Sequence, residues 1–345
     1  MYGEWNIDNI LDELKRLEKY FYICDDEEDK IKIILSINKY LELLKIKKHD
    51  LSKLKFNKRI NSEYTEKLIN NLDENLIVAD NQVKNNIRDF KKLINSINKL
   101  NIKFNTIYID YEDLNMPLSI DYICKFLSEF KSDLYEHFND VFKNNYINFF
   151  NKECKDYSGA CYYIPFNNKN YINIYSEGNY KIAPSIVHEL GHSYENNYQK
   201  SNKLWLHNIS LYSEVFSNFL CLLFDQYLKD TKCFYQGLID NNSFITTCYN
   251  LSNDLTEYIY SGEYKNIDEL YDFIFLLGGN IALAFLEQYN TNKKEALKNI
   301  DYFLEKNDSD FSNHLLKSVD IDIKKLYSAT YLNEYAAKCN KLKGR

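Results

Sequence analysis

The run Ile186-Val187-His188-Glu189-Leu190-Gly191-His192 sets two histidines four residues apart, with a glutamate directly after the first. On an α-helix, residues four apart share a face, so both imidazoles can address one ion. Glu189 sits one step round the helix, where its carboxylate can reach a water on that ion without being a ligand. Zn²⁺ held in this way lowers the pKa of water toward neutrality, and a carboxylate can then take the proton during attack on a carbonyl. Catalytic zinc uses three protein ligands and keeps one position open. A third donor stands in Ser213-Glu214-Val215-Phe216-Ser217-Asn218, inside another apolar helical run. A turn around residues 199–208 would let this run pack on the first and deliver Glu214 to the ion. The pattern therefore predicts one Zn²⁺ on His188, His192 and Glu214. His49, His137, His207 and His314 have no partner at ligand spacing and read as surface or satisfied core residues.

The elements that must position this set are helices. Glycine (9) and proline (3) are scarce in the 345 residues, and few breakers imply long uninterrupted helices. Ile7, Ile10, Leu11, Leu14, Leu17 and Phe21 recur at helical spacing, as do Ile31, Ile34, Leu35, Ile37 and Leu41. A third pattern runs from about Tyr64 to Leu100. The rhythm breaks over Asn101–Pro117, so a boundary is placed there: residues 1–105 form a helical lobe, and 106–345 the catalytic domain. Helical spacing resumes from Ser119 to about Phe150. The one β-like region follows, with Tyr157–Phe166 and Tyr171–Tyr175 as strands and Asn167–Asn170 as the turn. After Pro184 the helical signal continues to the end.

Composition excludes several classes. Net charge is −7 and no basic block stands apart from acidic residues, so the electrostatic footprint of a nucleic-acid protein is missing. The eight cysteines are scattered with no CxxC pair, which suits reduced thiols better than a disulfide framework or a zinc ribbon. Residues 1–25 are amphipathic and charged, unlike a signal peptide. No stretch is expected to supply the roughly 18 apolar residues of a membrane span. A cytoplasmic protein without membrane or nucleic-acid partners is the expectation, and nothing in the pattern specifies an oligomeric state.

These residues resemble a known family. Tyr157-Ser158-Gly159-Ala160-Cys161-Tyr162-Tyr163, then Tyr171-Ile172-Asn173-Ile174, then His188–Tyr194 are similar to the M3 zinc metallopeptidases, nearest their oligoendopeptidase F branch. That family has an S-G-A-Y-like strand, a second strand and a TLxHExGHxxH helix in this order. Glu214 and Ser217 match its E-x-x-S segment, which carries the third ligand. Tyr111–Pro117 resembles the opening of its catalytic region, Leu270–Gly278 its FYxYxYxxG helix, and Tyr302–Glu305 and Val319-Asp320 its last helices. The resemblance covers about residues 106–345. It implies a mainly α, two-lobed fold around a channel, with short unstructured peptides as substrates. It further implies that Gly159, Ala160 and Cys161 pair with the peptide backbone as an added strand. A plain structural hairpin is the other reading of that segment.

The sequence also departs from the family. Tyr264 falls near the position of a family histidine. Tyr271 is retained as a candidate oxyanion donor, while Phe273 and Phe275 replace two tyrosines. Tyr264, Tyr260 or Tyr258 is the alternative donor if an insertion shifts the alignment, and Tyr264 is counted with Glu189 and Tyr271 among the catalytic candidates. A lost oxyanion donor typically costs on the order of a hundred- to a thousand-fold in rate. Cys221 replaces a second glutamate seven residues after the ligand, with Asn218 as a partial substitute, and Glu195 replaces the last histidine of the helix motif. Two functions follow: a zinc endopeptidase with Glu189 as base, or a catalytically impaired metal-binding homologue acting as a peptide-binding or scaffold protein.

Overall fold

The computed structural model describes residues 6–54, 81–100, 116–150, 159–175, 182–198, 210–230, 241–261, 267–306 and 311–342. The first two amphipathic patterns fold as a helical hairpin, α1 (Ile7–Ile23) and α2 (Glu27–Ile46). Each helix opens on a side-chain cap. Asn6 Oδ1 accepts from Asp8 N at 3.0 Å, and Asp26 Oδ1 accepts from Asp29 N at 2.8 Å. These caps satisfy amides that the first helical turn leaves without partners. Ile10, Leu14, Leu17, Ile34, Tyr40, Leu43 and Leu44 form a compact cluster closed by Ile164 and Tyr171 of the sheet.

The next described helix, α3 (Ile87–Asn98), buries Phe90, Leu93, Ile94 and Ile97. It joins the large cluster of the C-terminal two thirds rather than the α1–α2 cluster. The part of the Tyr64–Leu100 pattern before residue 81 and the boundary near residue 105 fall outside the described residues, and the rest of that pattern is helical as expected. So do Tyr111–Asn115, and helix α4 (Met116–Phe130) follows directly, with α5 (Ser132–Lys143) after it.

The sheet has three strands, β1 (Ile147–Phe150), β2 (Gly159–Ile164) and β3 (Lys169–Tyr175), in the order β1-β3-β2. β2 and β3 are antiparallel around a turn at residues 165–168, where Asn168 takes a φ of 57°. Asparagine is one of the few residues that tolerate this left-handed conformation. β1 is a departure from the expectation of helix to Phe150. A four-residue apolar run reads the same in helix and strand, and here a distant parallel partner decides, with Ile147 in register with Ile172. β2 is left at the sheet edge with one side of its backbone unpaired by the sheet.

The remaining chain is helical: α6 (Ile182–Tyr198), α7 (Val215–Asp230), α8 (Asn241–Ser261), α9 (Ile267–Thr291), α10 (Lys293–Lys306), and three shorter helices, α11 (Asn313–Ser318), α12 (Ile323–Tyr327) and α13 (Thr330–Leu342). By length and composition Glu269–Thr291 reaches the size of a membrane span, contrary to expectation. Its most apolar window is 78% buried inside the fold, which is how the central helix of a globular core reads. α6 and α7 approach so closely at Gly191 that a Cβ there would stand 2.6 Å from Ser217 Cα. Backbone cannot yield at that distance, so the position requires glycine.

Gly191→Ala is therefore expected to lower the melting temperature. Alanine's better helix propensity offers about 1 kcal/mol, but overpacking against backbone costs about 1–3 kcal/mol and displaces α7. Thermal unfolding followed by circular dichroism checks this, and a rise in melting temperature would contradict the close approach.

Candidate metal centre

Helix α6 carries His188, Glu189 and His192, with Pro184 in its first turn, where a missing N–H costs nothing. Glu214 is not inside a helix as expected. It ends the turn at residues 211–214 and immediately precedes α7. Its carbonyl accepts from Asn218 N at 3.2 Å and from Asn218 Nδ2 at 2.8 Å. Asn218 thus fixes the backbone of the third donor rather than a histidine.

The three side chains meet. His188 Nε2 and His192 Nε2 are 3.2 Å apart, His188 Nε2 lies 3.3 Å from Glu214 Oε2, and His192 Nε2 lies 3.5 Å from Glu214 Oε1. Ligands held 2.0–2.1 Å from a tetrahedral Zn²⁺ must stand about 3.3 Å from one another. The spacing of the three donors fits that figure, so the residues present suit the ion. Each side chain keeps 21–23% of its surface exposed, which leaves an approach from solvent of the kind that catalytic rather than structural zinc requires.

Outer contacts hold the donors. His192 bonds to the Ser213 backbone, and Ser217 Oγ lies 3.4 Å from Glu214 Oε2. His188 is hydrogen-bonded to Cys221, whose Sγ also lies 3.4 Å from the Pro184 carbonyl. A thiol therefore stands where a carboxylate would support this histidine more strongly. Further along α6, His137 lies 2.8 Å from Ser193 Oγ and 2.9 Å from Asn197 Nδ2, so it is a satisfied residue as expected. The sequence did not single out Lys131. Its ammonium reaches Tyr194 OH at 2.6 Å, Tyr198 OH at 3.1 Å and Asp301 Oδ1 at 2.7 Å. It ties the end of α6 to α10, and the four-residue spacing of the two tyrosines is the only local hint of it.

Charge in the centre is divided unevenly. Burial favours the neutral form of Glu214, yet the two imidazoles hold its carboxyl below the usual range. Burial also pushes His192 down to about 4 against the pull of Glu214. His188 is held well above its usual value, against burial, by Cys221 and Glu214. One imidazolium thus sits beside one carboxylate, a positive charge of the kind a divalent ion supplies more strongly.

Glu189 is only 6% exposed, and burial, reinforced by Glu214 and opposed by His188, pushes its carboxyl up to about 7. It lies against β2: a Cβ at Gly159 would stand 2.7 Å from Glu189 Cγ and 2.8 Å from Oε1. Cys161 faces the same side as Gly159, with Ile172 and Ile174 as their register partners, whereas Ala160 and its partner Asn173 face the other side.

The tyrosines divide. Tyr264 lies outside the described residues. Tyr271 is on α9 and 47% exposed. It precedes Gly278 by seven residues, on the same face and about 10 Å along the axis. A Cβ at Gly278 would meet Glu214 Cβ at 2.8 Å, so this face of α9 borders the centre. Phe273 points elsewhere. It is fully buried, with its ring centroid 4.8 Å from that of Phe90 and 6.4 Å from that of Tyr258. A tyrosine there would face the core, so Phe273 removes no donor from the metal centre. Tyr260 is taken by Asn95 at 2.8 Å, and Tyr258 is buried beside Phe273, so neither alternative donor reaches the site.

No protein-family model and no curated protein matches this sequence. Solved structures do match in fold. A protein assigned as an oligoendopeptidase F superposes with a TM-score of 0.54 at 13% identity, over 75% of this chain and 58% of its own. A second, so assigned from Bacillus anthracis str. Ames, gives 0.50 at 15% identity over 88% of this chain and 63% of its own. The chain has an oligoendopeptidase F-like, mainly α fold, and its alignment spans about 60% of the length of these neighbours.

The Glu189 environment gives a pH dependence. An unfolded glutamate releases its proton near pH 4.3, whereas this one does so near 7. Between those values the unfolded chain binds fewer protons, so the folded state loses stability as pH rises, by about 4 kcal/mol at completion. In chelator-treated protein, Glu189→Gln should melt increasingly above wild type on going from pH 5 to pH 8. A gap of the same size at both pH values would contradict the assignment.

Proposed function

We propose that this chain is a zinc-dependent endopeptidase that hydrolyses short unstructured peptides. The observation that carries the reading is the convergence of His188, His192 and Glu214 beside a buried Glu189, next to the edge strand β2. The three donors would hold one Zn²⁺, which when bound supplies Lewis acidity and lowers the pKa of water. Glu189 would take a proton from the attacking water and return it to the leaving amine, a role suited to a carboxyl poised near neutrality. The unpaired side of Gly159, Ala160 and Cys161 would align the substrate backbone as a fourth strand, giving affinity with little side-chain selectivity.

Tyr271 is the donor we assign to the developing oxyanion, since it lies on the face of α9 that borders the centre and is accessible. Residues 1–105 and 106–345 would form the two lobes, with α3 packing across that boundary onto the catalytic one and the substrate entering between the α1–α2 hairpin and the catalytic lobe. The thiol chemistry of the scattered cysteines suits a cytoplasmic setting. No nucleic-acid or membrane partner enters this reading. The specific observation on the other side is Cys221. A weak support for His188 favours a metal-binding homologue that retains peptides without cleaving them.

Purified protein with a quenched-fluorescent peptide, with and without chelator, separates the two. Wild type should cleave, chelator should abolish cleavage, and zinc should restore it. Glu189→Gln should keep one zinc per chain while kcat falls by roughly 10²–10⁴, and Glu214→Gln should lose the zinc. Equal cleavage by wild type and Glu189→Gln would rule out the mechanism, and zinc binding without cleavage would favour the homologue.

A further inference from the structure

Lys39 of α2 occupies an unusual place for a lysine. Its side chain is 14% exposed, and its acidic partner among the described residues is Glu42, at 3.5 Å and itself 49% exposed. The ammonium also lies 5.2 Å from the centroid of the Tyr162 ring. Tyr162 belongs to β2, and α2 packs against that strand. A cation removed from water is costly unless a counter-charge meets it at close range. A half-exposed glutamate at 3.5 Å meets that need poorly, and burial lowers the pKa of Lys39 despite it.

The position relative to Glu189 gives this charge a direction. Glu189 packs against Gly159 on one face of β2. Lys39 lies against the ring of Tyr162, three residues further along the strand and on its opposite face. Three residues of strand span about 10 Å. A peptide laid along the edge of β2, with its cleaved bond at Glu189, would therefore pass Lys39 about three residues from that bond, at a position whose side chain turns toward α2.

We propose that Lys39 is a specificity-determining residue that receives a substrate carboxylate about three residues from the cleaved bond. This inference rests on the peptidase reading for its orientation, but the binding it describes does not need cleavage. The carboxylate is either an acidic side chain or the C-terminus of a short peptide, and both supply the same charge-assisted hydrogen bond. Such a contact offsets the burial of the ammonium, which water alone does not do in a 14% exposed side chain.

A host peptide with one Glu, or one Gln, scanned through each position tests this on the full-length protein, each peptide having a free or an amidated C-terminus. Binding to the zinc-loaded Glu189→Gln protein is read by fluorescence anisotropy, and KM and kcat by cleavage with wild type. At one register Glu should bind roughly ten-fold tighter than Gln, with the difference in KM rather than kcat. If the C-terminus is the source, the free and amidated peptides should differ instead. In the Lys39→Met protein the ratio between charged and neutral peptides should collapse to about one, and Lys39→Arg should restore part of it. Wild type that binds Glu and Gln peptides, free and amidated, equally well would overturn the proposal. So would a preference that survives Lys39→Met. Because the wild-type comparison needs no variant, poor folding of Lys39→Met cannot obscure the result. Discriminating binding without any cleavage would sink the peptidase reading and leave the Lys39 site standing.

Discussion

The contact between α6 and α7 is the constraint on which the metal centre depends. One helix supplies two donors and the other element supplies the third, so the distance between them sets the geometry of the site. Gly191 against Ser217 fixes that distance at backbone-to-backbone range. Gly278 does the same from the far side, bringing α9 against Glu214. Glu214 is thereby clamped between two helices, with its carbonyl bound by Asn218 and its carboxylate beside Ser217. A side chain so confined has little rotamer freedom left to lose when an ion binds. The three donors accordingly stand at tetrahedral spacing before any ion is considered.

Much of this was legible in the residues. Four-residue histidine spacing is a statement about helix geometry, and geometry does not depend on distant context. The same applies to the periodic apolar residues of α1, α2 and α3. What was not legible depends on partners far away in the chain. Ile147–Phe150 is a strand only because β3 accepts it, and nothing in four apolar residues announces that. Glu214 precedes its helix instead of lying inside it because Tyr212 and Ser210 accept bonds that close a turn there. Phe273 looked like a lost catalytic hydroxyl in a linear comparison. Five residues from Gly278 places it about 140° round the helix, in the core.

The outer contacts of the two histidines are unequal. His192 relies on a backbone carbonyl, which cannot be changed by substitution. His188 relies on Cys221, a weak hydrogen-bonding group that is half-buried and whose thiol is pushed up by its surroundings. A neutral thiol in this place lacks the negative charge by which a carboxylate would raise the basicity of His188. Compensation has to come from Glu214, which touches both imidazoles at nearly equal range. Glu214 is thus the carboxylate that both imidazoles share, which makes its clamping by Gly191 and Gly278 more consequential.

The sheet joins this rigid centre to the α1–α2 hairpin through opposite faces of the same three strands. Ile172, Ile174 and Gly159 turn toward α6, while Tyr162, Ile164 and Tyr171 turn toward α2. Period-two alternation makes that division automatic, because a one-residue slip would exchange the two sets. The edge of β2 therefore lies between the helix that carries His188 and His192 and the helix that carries Lys39. The α1–α2 hairpin and α6 form two walls on either side of this strand.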